Sequence, residues 1–204
     1  MAERQAAPLP RGRHRLTREE VAASQRDRLL LAMAEAMAEK GYAATSVADV
    51  LARARVSRET FYQQFSSKLD CFVTAFDTAA EMLGAGLGAV VARDGPPLAR
   101  FDRALAAYLD ALASQMPFAR LFLVEVYAAG PAAFDRRTAV QQRFADELAA
   151  LFGADDEAGR FACEALVAAI SSLVTGPIIR GDGDALRALH GPLVGLVGDA
   201  LGRR

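Results

Sequence analysis

The sequence predicts an all-α protein, in which a small N-terminal helical domain precedes a larger one, with about nine helices in all. Apolar residues recur every three or four positions along most of the chain, which is the spacing of amphipathic helices. No stretch shows the alternation of apolar and polar residues that is typical of strands. Gly and Pro separate the helical patterns, most clearly at residues 94–97, Asp-Gly-Pro-Pro.

The first predicted helix spans residues 17–40. Thr17 and Glu20 have the spacing of a capping box, and Gly41 stands where a helix commonly ends. Its apolar stripe consists of Leu30, Met33, Ala34 and Met37. We expect this helix to support the short helices that follow it in the chain.

Residues 45–68 predict two short helices joined by a tight turn, followed by the start of a fourth helix. The apolar face of the first short helix consists of Val47, Val50, Leu51 and Ala54. Thr45 or Ser46 caps this helix and Ser57 caps the next, because a side-chain oxygen accepts an otherwise unpaired backbone N–H there. Ser67 and Asp70 cap the fourth helix, which continues to the boundary at residues 94–97.

Only helical patterns follow residue 98. The fifth helix begins there, the sixth spans residues 118–129, and the seventh spans residues 132–152. The eighth spans residues 155–175, where Gly176 and Pro177 end or kink it, since proline lacks a backbone N–H. The ninth spans residues 184–201.

The composition describes a folded chain with a sizeable core: 204 residues, of which 52% are hydrophobic. No uncharged apolar run reaches about 18 residues, so no membrane-spanning helix is expected. The Arg-rich start lacks the apolar segment of a secretory signal, and we expect a cytoplasmic protein. Cys71 and Cys163 have no ligand-like spacing; they are either small buried side chains or, less simply, a regulatory thiol.

The two short helices have the arrangement of a helix-turn-helix. In the second, Phe61 and Phe65 face inward, which leaves Arg58, Tyr62 and Gln63 on the outer face. Arg and Gln side chains make bidentate contacts to base edges, and hydroxyls and helix N-termini bind phosphate oxygens. The outer face therefore either binds DNA or is an ordinary solvated helix face.

The net charge of −1 hides an asymmetry that favours DNA binding at one end. Residues 1–70 carry 12 Lys and Arg against 9 Asp and Glu, a net +3, whereas residues 71–204 carry a net −4. Residues 1–17 combine Pro and Gly with an alternating basic run, Arg11, Arg13 and Arg15. This flexible basic arm is either a solvated tail or a segment that lies along the DNA backbone or in its minor groove.

The order of residues in and just after residues 18–66, which we call the head, resembles the N-terminal domain of the TetR family of bacterial transcriptional regulators. The resemblance is carried by Gly-Tyr at residues 41–42, Thr-Ser-Val-Ala-Asp-Val at residues 45–50, Val-Ser-Arg-Glu-Thr-Phe-Tyr-Gln-Gln-Phe at residues 56–65, and Ser-Lys-Leu at residues 67–69. It covers about a quarter of the chain and implies a DNA-binding domain over residues 18–66. Arg55 departs from the pattern, since the family usually has the turn glycine there, and Glu59 replaces a small residue.

The resemblance implies a set of DNA-contacting residues: Thr45, Ser46, Ser57, Arg58, Glu59, Thr60, Tyr62, Gln63, Gln64 and Lys68. Tyr62 and Lys68 match family positions that hold phosphates, whereas Arg58 and Gln63 lie where side chains reach base edges. Arg55 has to adopt the turn conformation with a side chain, at a cost of roughly 1 kcal/mol if φ is positive.

The resemblance also implies that residues 67–204 form a ligand-binding and dimerisation domain. The last two helices of each subunit would pair into a four-helix bundle, with these candidates at the interface: Ala165, Ala169, Leu173, Leu189, Leu193 and Leu196. The alternative is that these stripes face the subunit's own core. A homodimer suits two reading heads on a palindromic operator, because both then share a two-fold axis.

The family commonly encloses a small-molecule site between the middle helices, and the candidates here are Tyr108, Phe122, Glu125 and Phe144. Aromatic residues at helical spacing are also ordinary core residues. Glu125 lies in an otherwise apolar run and needs a partner if it is buried. That partner is either an arginine, namely Arg120, Arg136 or Arg137, or a polar group of an unknown effector.

Two functions from different classes remain after the sequence is considered. The first is a dimeric regulator, a repressor that releases a palindromic operator on binding a small apolar molecule. The second is an all-helical ligand-binding or adaptor protein with a vestigial helix-turn-helix. We expect no enzyme, cofactor or metal site, since no nucleophile elbow, phosphate loop or metal-ligand spacing is found.

Overall fold

The computed structural model describes residues 17–201, and the basic arm predicted at residues 1–17 lies almost wholly outside them. The all-α prediction is confirmed: the described residues form α-helices and one short 3₁₀ helix, with no strand. The helices are α1 (Arg18–Ala44), α2 (Val47–Ala54), α3 (Arg58–Gln64), α4 (Lys68–Val91), α5 (Pro97–Ser114), α6 (Met116–Leu123), α7 (Pro131–Phe152), α8 (Glu157–Arg180), α9 (Gly183–Ala188) and α10 (His190–Leu201). The 3₁₀ helix, Glu125–Tyr127, follows α6.

Helix α1 begins where its capping box predicts, but it extends to Ala44, beyond the predicted end at residue 40. Thr17 and Glu20 form the reciprocal capping box, with the Thr17 N–H donating to the Glu20 carboxylate at 2.6 Å. Gly41 has φ 77° and ψ 164°, so the regular helix is interrupted there before one further turn. A residue with a Cβ is strained in that conformation, which explains the glycine.

Helix α4 connects the head to the larger domain. Ser67 caps it by accepting from the Asp70 N–H at 3.0 Å, and its helical pattern ends at Val91, close to the predicted boundary at residues 94–97. Helix α5 then begins with Pro97 in its first turn, a position where the missing N–H costs nothing.

Three predicted elements differ from the observed ones. The sixth helix ends at Leu123 and continues as the 3₁₀ helix, and α8 runs through Pro177 as far as Arg180. The predicted ninth helix is two helices, α9 and α10, which meet at Leu189. Pro192 favours this break, because its ring would clash with the carbonyl of Ala188 in a regular helix.

One hydrophobic core extends from the head into the larger domain. Helix α1 packs on α2 and α4 within the head and also packs on α6 of the larger domain. Tyr42 lies edge-on against Phe72 with ring centroids 5.3 Å apart, and Phe76 stacks on Phe122 at 4.6 Å. The head is therefore continuous with the larger domain through α4 and α6, rather than joined to it by a flexible linker.

Candidate functional site

The helix-turn-helix consists of α2, a tight turn at Arg55, and α3. Ser46 caps α2 in a reciprocal box with Asp49, and Ser57 caps α3 by accepting from the Thr60 N–H at 3.0 Å. Arg55 has φ 55° and ψ 48°, the one non-glycine residue in the left-handed region within the part of the chain described. The turn geometry expected of the usual glycine is thus adopted by an arginine, with the strain that its Cβ brings.

Buried aromatic residues fix the position of α3 on the head. Phe61 and Phe65 are 0% and 1% exposed, and their rings lie 5.6 Å apart. The guanidinium of Arg26 lies over the Phe65 ring at 4.9 Å, so α1 also contacts this end of α3. Because its inner face is packed in this way, the opposite face of α3 is held in a fixed orientation toward solvent.

The outer face of α3 presents Arg58, Glu59, Tyr62 and Gln63, all exposed. The Gln63 amide donates to the Glu59 carboxylate at 3.3 Å, so Glu59 is held by Gln63 rather than by an arginine. No carboxylate lies within 4 Å of the Arg58 guanidinium among the described residues. Arginine and amide groups on a fixed face match what base edges in a major groove accept.

Other residues of the predicted DNA-contacting set lie deeper. Thr45 is 2% exposed and its hydroxyl donates to the Gly41 carbonyl at 2.8 Å, so its side chain does not reach the surface. Gln64 and Thr60 are half-buried, and the Thr60 and Ser57 hydroxyls lie 2.9 Å apart. We therefore correct the placement of Thr45: it caps the end of α1, and Ser46 caps α2.

Lys68 has internal partners that its sequence position does not reveal. Its Nζ donates to the carbonyls of Tyr42 and Thr45 at 3.0 Å each and lies over the Tyr42 ring at 4.1 Å. An ammonium group has three N–H donors, so one remains for a further acceptor. The lysine thus holds the chain between α1 and α2 against the start of α4.

Ion pairs reinforce the contact between α1 and α2. Lys40 pairs with Asp49 at 2.5 Å, and Arg53 pairs with Glu39 at 2.5 Å. The hydrogen bond from Lys40, supported by Ser46, holds the pKa of Asp49 well below its ordinary value. Asp49 is therefore ionised at neutral pH, where it stabilises the first turn of α2.

A cavity of about 420 Å³ lies in the larger domain, between α4, α5, α6, α7 and α8. Its apolar wall includes Phe101, Leu105, Phe122, Val140, Leu148 and Ile170. Three of the four residues predicted for the ligand site, Tyr108, Phe122 and Phe144, line this cavity. The volume and the apolar lining are those of a small-molecule site.

A few polar side chains also line the cavity, and Arg137 and Ser171 are each only 7% exposed. The Arg137 Nη1 donates to the Gln141 side-chain oxygen at 2.9 Å, and the Gln141 amide donates to the Ser171 hydroxyl at 3.1 Å. Burial raises the pKa of Tyr108, against the opposing effect of Arg137, so its hydroxyl is neutral. Sequence reasoning considered Arg137 only as a partner for Glu125; the missed signal was its position on the buried side of α7, three residues before Val140.

Glu125, the fourth predicted ligand residue, is not among the residues that line the cavity. It is 6% exposed, pairs with the Arg120 Nε at 3.2 Å, and accepts from the Tyr42 N–H at 2.8 Å. A Cβ on Gly41 would lie 3.3 Å from the same carboxylate. We therefore correct the placement of Glu125: it joins α6 to the end of α1, and Arg120 is the arginine that balances its charge.

The residues predicted for the dimer interface divide into two groups. Leu193 is 2% exposed and belongs to the chain's own core, and Leu189 and Ala169 are half-buried. Ala165, Leu173 and Leu196 face outward; Leu173 is 48% exposed and Leu196 is 46% exposed. Further exposed apolar residues on α8 are Phe161 and Ile179.

The exposed face of α8 is unusually apolar. By length and composition alone, α8 would suffice to cross a membrane. An 18-residue stretch of it has a mean hydropathy of 1.7, and 39% of that stretch is buried in the protein. The core helices of water-soluble proteins pass the same test, and α8 packs on α7, α6 and α9. Its remaining apolar face is one that a second protein surface can cover.

Both cysteines are buried. Burial, with a smaller contribution from Asp70, raises the pKa of Cys71 to about 12. Its thiol is therefore protonated at neutral pH, and thiols react as thiolates. The geometry favours the first of the two interpretations, small buried side chains, over a regulatory thiol.

Comparisons with known proteins agree with this geometry. Residues 29–75 match the family described as bacterial regulatory proteins, tetR family. The HTH-type transcriptional activator FasR of Mycolicibacterium smegmatis is 27% identical over 130 residues, which are 64% of this chain and 59% of that protein. The match thus spans about three fifths of that relative's length.

Solved structures resemble the fold over most of its length. The fatty acid degradation regulator FadR from Bacillus halodurans has a TM-score of 0.75 at 18% identity, covering 87% of this chain and 94% of that one. FadR from Bacillus subtilis, in complex with stearoyl-CoA, has a TM-score of 0.73 at 15% identity, covering 84% and 96%. Residues 29–75 of this chain, which include the head motif, are thus similar to the tetR family of bacterial regulatory proteins, and the helical fold is similar to that of the two FadR structures.

Proposed function

We propose that the protein is a homodimeric, ligand-responsive repressor that acts in the cytoplasm and releases a palindromic operator when a small apolar molecule occupies the cavity. The observation that carries this proposal is the fixed outer face of α3, where Arg58, Tyr62 and Gln63 are exposed together. A packed inner face and a polar outer face give a helix that can enter a major groove without reorganising.

The proposed contacts divide into positioning and reading. Ser46, Ser57 and Tyr62, the N-termini of α2 and α3, and the free donor of Lys68 would bind phosphates. Arg58 and Gln63 would contact base edges, with Glu59 orienting the Gln63 amide. Phosphate contacts give salt-dependent affinity for any sequence, whereas base contacts give the preference for one.

Dimerisation would proceed through the exposed apolar parts of α8 and α10. Leu173, Ile179 and Leu196 expose about half of their surface, and small residues such as Ala165 permit close helix approach. A two-fold axis through this face would place two heads on one side, as a palindromic site requires. The exposed apolar area on α8 supports the proposal, since monomeric proteins rarely leave such a stripe uncovered.

A direct structural route would couple the cavity to the heads. Phe122 lines the cavity on α6 and stacks on Phe76 of α4, and Glu125 follows it by three residues and holds the Tyr42 N–H. A ligand that displaces Phe122 would move both connections to the head. Such a ligand shifts the equilibrium only as far as it binds one arrangement better than the other.

The experiment that tests the proposal is selection of bound sequences from a random pool of double-stranded DNA with the purified protein. We expect a palindromic motif with two half-sites, and an affinity that falls steeply with salt. If no sequence is enriched and binding is weak at low salt, the alternative is favoured: a ligand-binding or adaptor protein with a vestigial helix-turn-helix. The position of the selected motif relative to a promoter then distinguishes repression from the activation named for the relative FasR.

A further inference from the structure

The cavity contains a buried cation that no carboxylate balances. Arg137 is 7% exposed, and its buried Nε has no hydrogen-bond partner. Within residues 17–201, no carboxylate oxygen lies within 4 Å of its guanidinium nitrogens, and the contacts it has are neutral: Gln141 and the Tyr127 ring, 5.0 Å from the guanidinium carbon. An arginine does not lose its proton in a protein, so it remains charged there.

A buried charge without a counter-charge destabilises the protein unless something compensates it. The neighbouring Arg136 shows the ordinary solution, since it is largely exposed and lies 3.5 Å from Asp77. Arg137 instead faces a cavity, where a ligand can supply the missing charge. The planar guanidinium matches a carboxylate, which accepts two parallel N–H bonds.

The groups around Arg137 suit the same anion. Gln141 orients the guanidinium and is itself held by Ser171, and Tyr108 has a neutral hydroxyl that can donate. All three side chains line the cavity, whose remaining wall is largely apolar. One end of the ligand therefore needs a negative charge, and the rest needs to be apolar.

The position of Arg137 along α7 says which end of the ligand lies deep. Glu147 lines the cavity and is exposed, so the cavity meets solvent near it. Arg137 precedes Glu147 by ten residues, which corresponds to roughly 15 Å along a helix axis. Besides Arg137, the charged residues that line the cavity are Arg100 and Glu147, whose charges are opposite and so offer little to a polyanionic headgroup.

We propose that the cavity binds an apolar carboxylic acid, with its carboxylate deep against Arg137 and its apolar chain directed toward the solvent end. The inference deepens the proposed function, on which it rests for the role of the cavity, but binding itself is measured without DNA. An acyl thioester would enter with its chain first and place a methyl end against the unpaired guanidinium. The structure thus favours a free acid over its coenzyme A thioester.

The test is isothermal titration calorimetry of the full-length protein with straight-chain fatty acids from hexanoate to stearate. The best acid is then compared with its methyl ester, its alcohol and its coenzyme A thioester. We expect the acid to bind roughly ten- to hundredfold more tightly than the ester or alcohol, as a charge-assisted pair to a buried arginine implies. The thioester is expected to bind more weakly than the acid.

Arg137→Met keeps most of the side-chain volume and removes the charge. We expect it to bind the acid ten- to hundredfold more weakly while binding the alcohol as well as the wild type or better, which shows that the cavity is intact. Arg137→Lys should restore part of the preference. Arg136→Met, on the same helix but largely exposed, is the matched control and should bind every probe as the wild type does.

Three results would overturn the inference. The first is that no acid binds, and the second is that the wild type and Arg137→Met each bind the acid and its alcohol with equal affinity. The third is that the thioester binds more tightly than the acid. The proposed function fails separately. A protein that binds acids but does not release its selected operator retains this inference and loses the function. A protein that releases its operator to neutral compounds, with no preference for acids, retains the function and loses this inference.

Discussion

Removing the Glu125 carboxylate should weaken the contact between the head and the larger domain and so lower the free energy of unfolding. Glu125→Ala leaves the Tyr42 N–H without its charged acceptor at 2.8 Å and leaves Arg120 without its partner at 3.2 Å. A hydrogen bond to a charged group contributes about 1.5–3 kcal/mol. Arg120 is 29% exposed and can be hydrated by water in the variant, so the loss of the ion pair adds only about 1 kcal/mol or less. We expect a total destabilisation of about 3 kcal/mol.

Urea unfolding followed by far-ultraviolet circular dichroism at a fixed protein concentration measures this change. With an m-value near 3 kcal/mol/M, the midpoint should fall by about 1 M. The midpoint of Glu125→Gln should fall by about half as much, since the amide oxygen of the new glutamine side chain still accepts from the Tyr42 N–H. Glu81→Ala, an exposed glutamate on α4, is the control and should change stability by about 0.5 kcal/mol or less. A Glu125→Ala midpoint equal to that of the control would refute the reasoning.

The remaining predictions concern the reading head and the dimer. Arg55→Gly should stabilise the protein by about 1 kcal/mol in the same urea assay, because glycine removes the Cβ strain at φ 55°; a loss of stability would show that the Arg55 side chain contributes more than its strain costs. Arg58→Ala should weaken binding to the selected operator by roughly 1–3 kcal/mol and relax preference at one base pair per half-site, measured on single-base variants; a uniform loss across variants would mean that Arg58 does not read sequence. Lys68→Ala should lower stability by about 1.5–3 kcal/mol and reduce the salt slope by about one unit per subunit; an unchanged slope would leave Lys68 a structural residue only. Leu173→Asp with Leu196→Asp should give folded monomers by light scattering, since both side chains are about half exposed in one chain; dimers that persist would remove the proposed interface.

Much of the head was predictable because its signals are local. The caps at Ser46 and Ser57 act within three residues, and the glycine at position 41 marks a break that its φ of 77° confirms. The inward faces of α2 and α3 follow from helical spacing alone, and Val50 and Phe61 are buried as expected. Thr45 was harder to place, because whether Thr45 or Ser46 is the cap depends on where α1 ends.

In the larger domain, the helices were predictable from the sequence, but the cavity and the contacts of its polar residues were not. A cavity is a property of five packed helices, and the charge state of its lining depends on which partners are near. Arg137 and Gln141 are four residues apart on one helix, yet nothing in that spacing says that no carboxylate approaches Arg137. Glu125 and Tyr42 are 83 residues apart, so their contact could not be read from either segment.

The sequence contains a local signal for the break between α9 and α10, but the continuous apolar stripe favours one helix more strongly. The apolar stripe continues across it, since Leu186 and Leu193 are both buried. Periodicity alone therefore predicts one helix. The local signal for a break is Pro192, whose ring disfavours the carbonyl four residues before it in a regular helix, although α8 continues through Pro177.

The contact between Glu125 and Tyr42 has a consequence for how the protein is made. The helices of the head end at residue 64, but the head is not complete without α6, since Phe122 packs on Phe76 and Glu125 accepts from Tyr42. At translation rates of about 5–20 residues per second, the ribosome takes roughly 3–12 s to add the residues from the end of α3 to Glu125. For an interval of the same length after α3 leaves the ribosome, the reading helix lacks this support, so a nascent chain would bind DNA poorly until the larger domain begins to form.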